Sequence, residues 1–412
     1  MQKMNVWFFS AHEQPRGQTS RTSDFGQALI KRGHKVTLLT NSYDHRTHKE
    51  LLPPGEKWCI EDIDGMRVIW LKTIPYIGNG WMRGINMLSY AWRSIWVARG
   101  LPDKPDVVVG DSVPPTAGWA ASEIARIRGA AFVYQIRDVW PIALVYDGGL
   151  SRRSPVYYAF RIMEKHLYRK SQRICATMPF LHQHVKESGS DPAIITWIPN
   201  GVNISRYPDW NGYDGGVKLP LTAMYVGAFG LAHDVITIVR AARILREKGN
   251  NSYRFVIVGD GVKRNECMKE AAQYGLSNIE FRESIAKCDV PELQKKADIL
   301  IASVLDSAAY QFGLNLNKLY DYFASGRPVI FSGNAPNDAV ADSGAGFSIR
   351  PENPEAMAEA LEKYLAMRPA ERIELAKRAR LYAEKEFDVE KLAGRMELML
   401  SEAISAKKAG TS

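Results

Sequence analysis

Several stretches of this chain gather residue types suited to holding an anionic ligand. The fullest runs from Phe312 to Ser332, FGLNLNKLYDYFASGRPVIFS. Lys318 and Asp321 stand about one helical turn apart there, so a cation and a carboxylate share a face. Leu316, Leu319, Tyr320 and Phe323 recur at helical spacing and turn another face inward. Gly326 and Pro328 end the helix and open a strand at Val329. A helix that starts behind a loop such as Phe312-Gly313 offers unpaired backbone N–H groups and the positive end of its dipole, which suits an anion. Taken alone, the pattern also fits a buried crossover helix with two solvated charges.

Two strand exits upstream carry the same chemistry. One is Val226-Gly227-Ala228-Phe229-Gly230; the other is Val258-Gly259-Asp260-Gly261, with Lys263 and Arg264 following on the first turn of a helix. Glycines let a ligand approach the backbone, and one or two basic residues at a helix start suit a diphosphate. Near the N-terminus, Arg16, Gly17, Thr19, Ser20 and Arg21 precede a helix in the same way. None of these is a GxGxxG fingerprint, so a nicotinamide site is poorly supported. A further polar pair, Arg137-Asp138, follows the apolar run Ala131–Ile136, at the strand end where open α/β sheets bind ligands.

The elements that must position these residues alternate strand and helix. Met4–Phe9, a helix face from Phe25 to Ile30, and Val36–Thr40 form a βαβ opening, the unit of parallel sheets. Residues 41–65 read as polar and irregular. Strands follow at Met66–Leu71, Asp106–Val109, Ala131–Ile136, Ile174–Thr177 and Ile194–Ile198. After Pro199-Asn200-Gly201-Val202-Asn203 the apolar pattern stops, and ISRYPDWNGYDGGVKLP reads as a linker. The alternation then restarts at Thr222–Val226. This gives a first domain over 1–203, a linker over 204–221, a second domain over 222–385, and closing helices over 386–412 that cross back to the first domain.

Composition supports two globular domains: 412 residues, 46% hydrophobic and 24% charged. Four separated cysteines give no CxxC pair, and no His/Cys spacing suggests a metal. No run is long and apolar enough to span a bilayer, and the N-terminal strand does not read as a signal peptide. The net charge of +9 suits nucleic acid, an anionic membrane or a phosphorylated substrate. Between Ile74 and Gly100, Trp81, Met82, Ile85, Met87, Leu88, Tyr90, Trp92, Ile95 and Trp96 interleave with Arg83, Arg93 and Arg99. That composition suits a helix resting in lipid headgroups, and a core stripe gives the same spacing.

In order along the chain, LIKRGHKVTLLT (29–40), IRDVWP (136–141), IPNGVN (198–203), YVGAFGLAH (225–233), VGDGVKRNE (258–266) and NKLYDYFASGRPVI (317–330) resemble retaining glycosyltransferases of the GT-B fold, family 4. Within them, the chain is similar to the fucosaminyltransferase-like group of bacterial surface-polysaccharide enzymes. The resemblance implies an α/β GT-B fold, two Rossmann-like βαβ domains facing a central cleft that closes over the donor. It implies hexosyl transfer from a nucleotide sugar, UDP favoured, to a polyprenyl-diphosphate-linked saccharide, with retention of configuration. No cofactor or metal is implied. The enzyme would be peripheral at the inner face of the cytoplasmic membrane.

Carried over by position, Asp321 takes the place of the glutamate that binds the ribose, and Gly313, eight positions earlier, replaces the usual first glutamate. Lys318 matches the basic position of the group, and Arg264, with Lys263 as neighbour, faces the donor diphosphate. Gly227, Gly230, Gly259, Gly261, Leu316, Asn317, Gly17 and Arg21 line the donor. The arginine many relatives carry after Gly227 is absent. Arg137 and Asp138 stand where relatives have a histidine–acid pair, Asp138 among the catalytic groups and Arg137 toward the acceptor. Trp81, Arg83, Trp92 and Trp96 would meet acceptor and membrane, with the basic helix Arg152–Lys170 beside them. Two other readings stay open: a GT-B-fold nucleotide-sugar epimerase, and a non-catalytic subunit with the same fold. Nucleic-acid binding is set aside, because it explains the charge but not the two-lobed order.

Overall fold

The computed structural model describes residues 2–16, 20–44, 48–78, 80–146, 149–208 and 210–410. The chain divides into two units, Met1–Pro199 with Val389–Ser412, and Asn200–Asp388.

The first unit holds β1 (Asn5–Phe9), β2 (Lys35–Asn41), the short ribbon β3 (Tyr43–Asp44) and β4 (Lys49–Glu50), β5 (Trp58–Ile63), β6 (Met66–Leu71), β7 (Val107–Asp111), β8 (Ala131–Ile136), β9 (Arg173–Ala176) and β10 (Ile195–Trp197). Eight of them form one sheet in the order β10-β9-β8-β7-β1-β2-β6-β5. Its inner strands are apolar runs buried on both faces, as parallel strands flanked by helices must be. Val6, Phe8, Leu38, Val68, Trp70, Val107 and Val133 share one core there.

The sheet's last strand corrects the reading of 41–65 as irregular. Trp58–Ile63 pairs antiparallel with Met66–Leu71 across the turn Asp64-Gly65, both residues at positive φ. Alternating WCIEDI followed by Asp-Gly is a hairpin signal that the overall polarity of the stretch obscured. The helix Val389–Ala409 closes this unit, burying Val389, Leu392, Met396, Met399 and Leu400 in its core. Glu397 locks it down, accepting from Arg32 and meeting the His34 ring nitrogen, both at 3.0 Å.

The second unit holds β11 (Leu221–Val226), β12 (Tyr253–Val258), β13 (Ile279–Arg282), β14 (Ile299–Ser303), β15 (Val329–Ser332) and β16 (Gly346–Ile349). All pair in parallel, in the order β13-β12-β11-β14-β15-β16. The stretch 204–221, composed like a linker, is packed into this unit. Tyr207 is buried, the Tyr213 hydroxyl donates to the Asp298 carbonyl at 3.1 Å, and Arg327 reaches the Trp210 carbonyl. Its aromatic rings supply the reason: they bury apolar area that a free linker would leave in water.

Each sheet reverses direction once. In the first unit the order runs outward from β1 on one side and from β7 on the other; in the second it runs outward from β11 and β14. Such a switch point leaves a crevice beyond the carboxyl ends of the strands, and the candidate residues gather there.

Candidate functional site

At the switch point of the second unit the two glycine loops are zipped backbone to backbone. Gly227 N–H donates to the Val258 carbonyl (3.0 Å), Phe229 N–H to Asp260 (2.8 Å) and Lys263 N–H to Phe229 (3.1 Å). A Cβ on Gly259, whose φ is +146°, would collide with the Gly227 carbonyl oxygen, and one on Gly261 would come within 2.6 Å of the Phe229 carbonyl. Here glycine is required by contact, not only by turn geometry.

Lys318 enters from the helix Asn317–Ala324 and is buried. Its Nζ donates to the Tyr225 hydroxyl at 2.6 Å and lies 4.2 Å from that ring's centre. Tyr225 passes the bond on to the Ala228 carbonyl (2.6 Å). A Cβ on Gly227 would sit 2.8 Å from the Lys318 amine, so the absent side chain there makes room for it. Burial disfavours the ammonium and pulls its pKa down to about 7. His233, after Gly230, feels both burial and Lys318 and falls to about 4, so its ring is neutral near pH 7. Its Nδ1 is buried without a hydrogen-bond partner.

The remaining donor candidates separate. Arg264 opens the helix Arg264–Gln273, and its Nε is buried and unpartnered. Lys263 pairs with Glu266 at 2.7 Å in an exposed ion pair. Asp321 is half-buried and accepts from the Tyr207 hydroxyl at 3.0 Å, which fixes the carboxylate's orientation. Leu316 caps the helix without a side-chain bond, and Asn317 accepts from Asn200 Nδ2 at 2.6 Å. Gly313, at φ +103°, stands in a conformation that disfavours the usual glutamate.

Arg21 does not serve as an anion ligand. It is buried in the first unit and spends its guanidinium on Gln135 Oε1 (3.0 Å) and the carbonyls of Pro199 (2.6 Å) and Ile198 (2.9 Å), with Phe25 beneath it. Burial lowers its pKa. The sequence places Arg21 in a loop, but it is the first residue of the helix Arg21–Lys31 and points into the sheet end. Gly17 lies outside the described residues. Arg137 and Asp138 follow β8; Arg137 is anchored by Glu13 and Asp111, while Asp138 is exposed.

The segment from Trp81 to Arg99 is one helix, Trp81–Gly100. Asn86, Met87, Tyr90, Ala91 and Ser94 face inward, whereas Trp81 (76% exposed), Leu88 (61%), Trp92 (65%) and Trp96 (60%) form an outward stripe. The stripe is therefore divided: Met87 and Tyr90 are core, and the tryptophans are not. Among the described residues no helix is long and apolar enough to cross a membrane.

Sequence reasoning missed Tyr225, Tyr207 and His233 as site residues. Tyr225 and His233 stand in the motif YVGAFGLAH without a role, and Tyr207 falls in the stretch that reads as a linker.

A glycosyl transferase 4-like domain matches residues 16–201, and a glycosyl transferases group 1 domain matches 220–367. The chain belongs to the GT-B glycosyltransferases. It is 23% identical over 388 residues to the putative colanic acid biosynthesis glycosyl transferase WcaI of Escherichia coli, covering 90% of this chain and 92% of that one. In fold it is similar to sucrose-phosphate synthase from Thermosynechococcus elongatus, with a TM-score of 0.76 at 16% identity over 98% of this chain and 100% of the other. It is also similar to HepE of Anabaena in complex with UDP-glucose, with a TM-score of 0.66 at 13% identity over 97% and 99% of the two chains.

The Lys318 environment makes a stability prediction. Its folded pKa of about 7 lies below the unfolded value of roughly 10.4, so between those limits folding expels a proton and stability rises with pH. The wild type should therefore gain on Lys318→Met by about 1.4 kcal/mol per pH unit from pH 7 upward. Denaturant unfolding of both proteins at pH 7, 8 and 9 measures this, and a gap independent of pH would contradict it.

Proposed function

We propose that the protein transfers a sugar from a UDP-sugar, with retention of configuration, to a lipid-linked saccharide during assembly of a cell-surface polysaccharide. The observation that carries this is the buried Lys318 amine beside Gly227, at the switch point of a glycine-lined sheet end. A diphosphate is the ligand such an amine suits, because an anion there restores the charge that burial disfavours. The UDP-glucose held by HepE and the colanic acid role given to WcaI support the donor and the pathway class.

Breaking the sugar–phosphate bond leaves negative charge on the nucleotide diphosphate and positive charge on the sugar ring. Lys318 and Arg264 oppose the first from fixed positions, which is where electrostatic preorganisation lowers a barrier. Asp321, oriented by Tyr207, accepts the ribose hydroxyls. The acceptor hydroxyl attacks from the face the diphosphate leaves, and its proton passes to a leaving phosphate oxygen. In this reading the chain's own cations carry the charge compensation, so a metal is not required.

The acceptor's lipid fits the outward face of the helix Trp81–Gly100. That helix has no acidic residue and pairs its exposed tryptophans with Arg83, Arg93 and Arg99. Indole rings suit the headgroup level of a bilayer, and each basic residue near an anionic surface adds ~1 kcal/mol. In this reading the protein is peripheral, at the cytoplasmic face of the membrane. The non-catalytic alternative has one observation on its side, Gly313 in place of a glutamate.

Two measurements test the reading. UDP at a hundred times its dissociation constant should stabilise the wild type by ~2.7 kcal/mol, read as a rise in melting temperature, and Asp321→Ala should lose most of that rise. No response to UDP, GDP, dTDP or CMP would leave the donor site without support and favour the non-catalytic subunit. The wild type should also sediment with vesicles containing anionic lipid, and Trp92→Glu with Trp96→Glu should abolish it. Equal sedimentation of the double variant would remove the membrane face.

A further inference from the structure

The switch point of the first unit carries polar groups that the donor chemistry does not use. Ser10 and Glu13 follow β1, Asp111 ends β7, and these are the strands from which the sheet runs in opposite directions. Glu13 and Asp111 are each only 1% exposed. Arg137 Nη1 bridges them, donating to Glu13 Oε1 at 2.7 Å and to Asp111 Oδ2 at 3.1 Å, and the Ser10 hydroxyl donates to the same Asp111 oxygen at 2.6 Å. The other two carboxylate oxygens, Glu13 Oε2 and Asp111 Oδ1, are buried and receive no hydrogen bond from the described residues.

A buried carboxylate oxygen without a donor destabilises the fold, and here two occur in one cluster. The arrangement selects the kind of group that would relieve it. Two carboxylates repel an anion, and the Arg137 guanidinium between them opposes a second cation. Neutral O–H donors fit both oxygens. The Arg137 side chain, 28% exposed, connects the cluster to solvent.

We propose that Glu13 and Asp111 receive hydroxyl groups of the acceptor saccharide, held for that purpose by Arg137. The inference rests on the glycosyl-transfer reading and assigns its acceptor half to two residues outside the family motifs quoted above. Both are positioning residues: they orient the hydroxyl-bearing sugar and take no part in bond cleavage.

The test uses the full chain and the isosteric variants Asp111→Asn and Glu13→Gln. UDP release from a panel of UDP-sugars is measured with and without a panel of n-octyl glycosides, beside melting temperature and UDP affinity. Each variant should melt at or above the wild type, bind UDP equally well, and lose about 10–100-fold of the glycoside-stimulated release. A melting temperature lowered by several degrees would make the pair a structural ion pair and overturn the proposal. So would stimulation retained by both variants, or a wild type that binds UDP but responds to no glycoside. A wild type that binds no UDP would instead remove the glycosyl-transfer reading, and this proposal with it.

Discussion

The structure of the second unit turns on an amine held out of water. Lys318 is buried with its hydrogen bond going to a phenol, Tyr225, and burial alone brings its pKa near neutrality. An ammonium so placed is costly unless an anion arrives, and such cost is characteristic of functional sites. Much around it follows from that placement. Gly227 lacks a side chain where the amine sits, Gly259 and Gly261 allow the neighbouring loop to press against it, and His233 stays neutral beside it.

The two units repeat one architecture with opposite chemistry. Both sheets are parallel, apart from the antiparallel edge strand β5 of the first, and both collect polar residues at the carboxyl ends of the strands on either side of the switch point. In the second unit the collected groups are an amine, a guanidinium and backbone N–H groups, which suit a diphosphate. In the first they are two carboxylates locked by an arginine, which suit hydroxyl donors. The fold supplies the position in each case, and the side chains decide the ligand.

The βα alternation was readable from the chain because buried parallel strands are apolar runs separated by helical periodicity and glycine stops. Charge placement was less readable. Arg21 and Lys318 both stand near helix starts behind glycine-bearing loops, yet one is consumed by carbonyls and the other faces a glycine loop. The difference lies in long-range packing: Arg21 meets Pro199, far along the chain, and nothing local announces it. The same holds for 204–221, where polar composition hid Tyr207 and its bond to Asp321. The tryptophan stripe is the reverse case, because its spacing fits core and surface alike and only the observed exposure decides.

The most direct test of the account is the affinity of UDP-glucose, or whichever UDP-sugar binds, measured by calorimetry from pH 6 to pH 9. If Lys318 holds the diphosphate as an ammonium, binding must supply a proton above its free pKa of about 7. Affinity should then fall by up to about tenfold per pH unit above that point, and Lys318→Met should bind weakly with no such slope. An affinity that is flat across the range, or a variant that binds as the wild type does, would contradict the central role given to this amine.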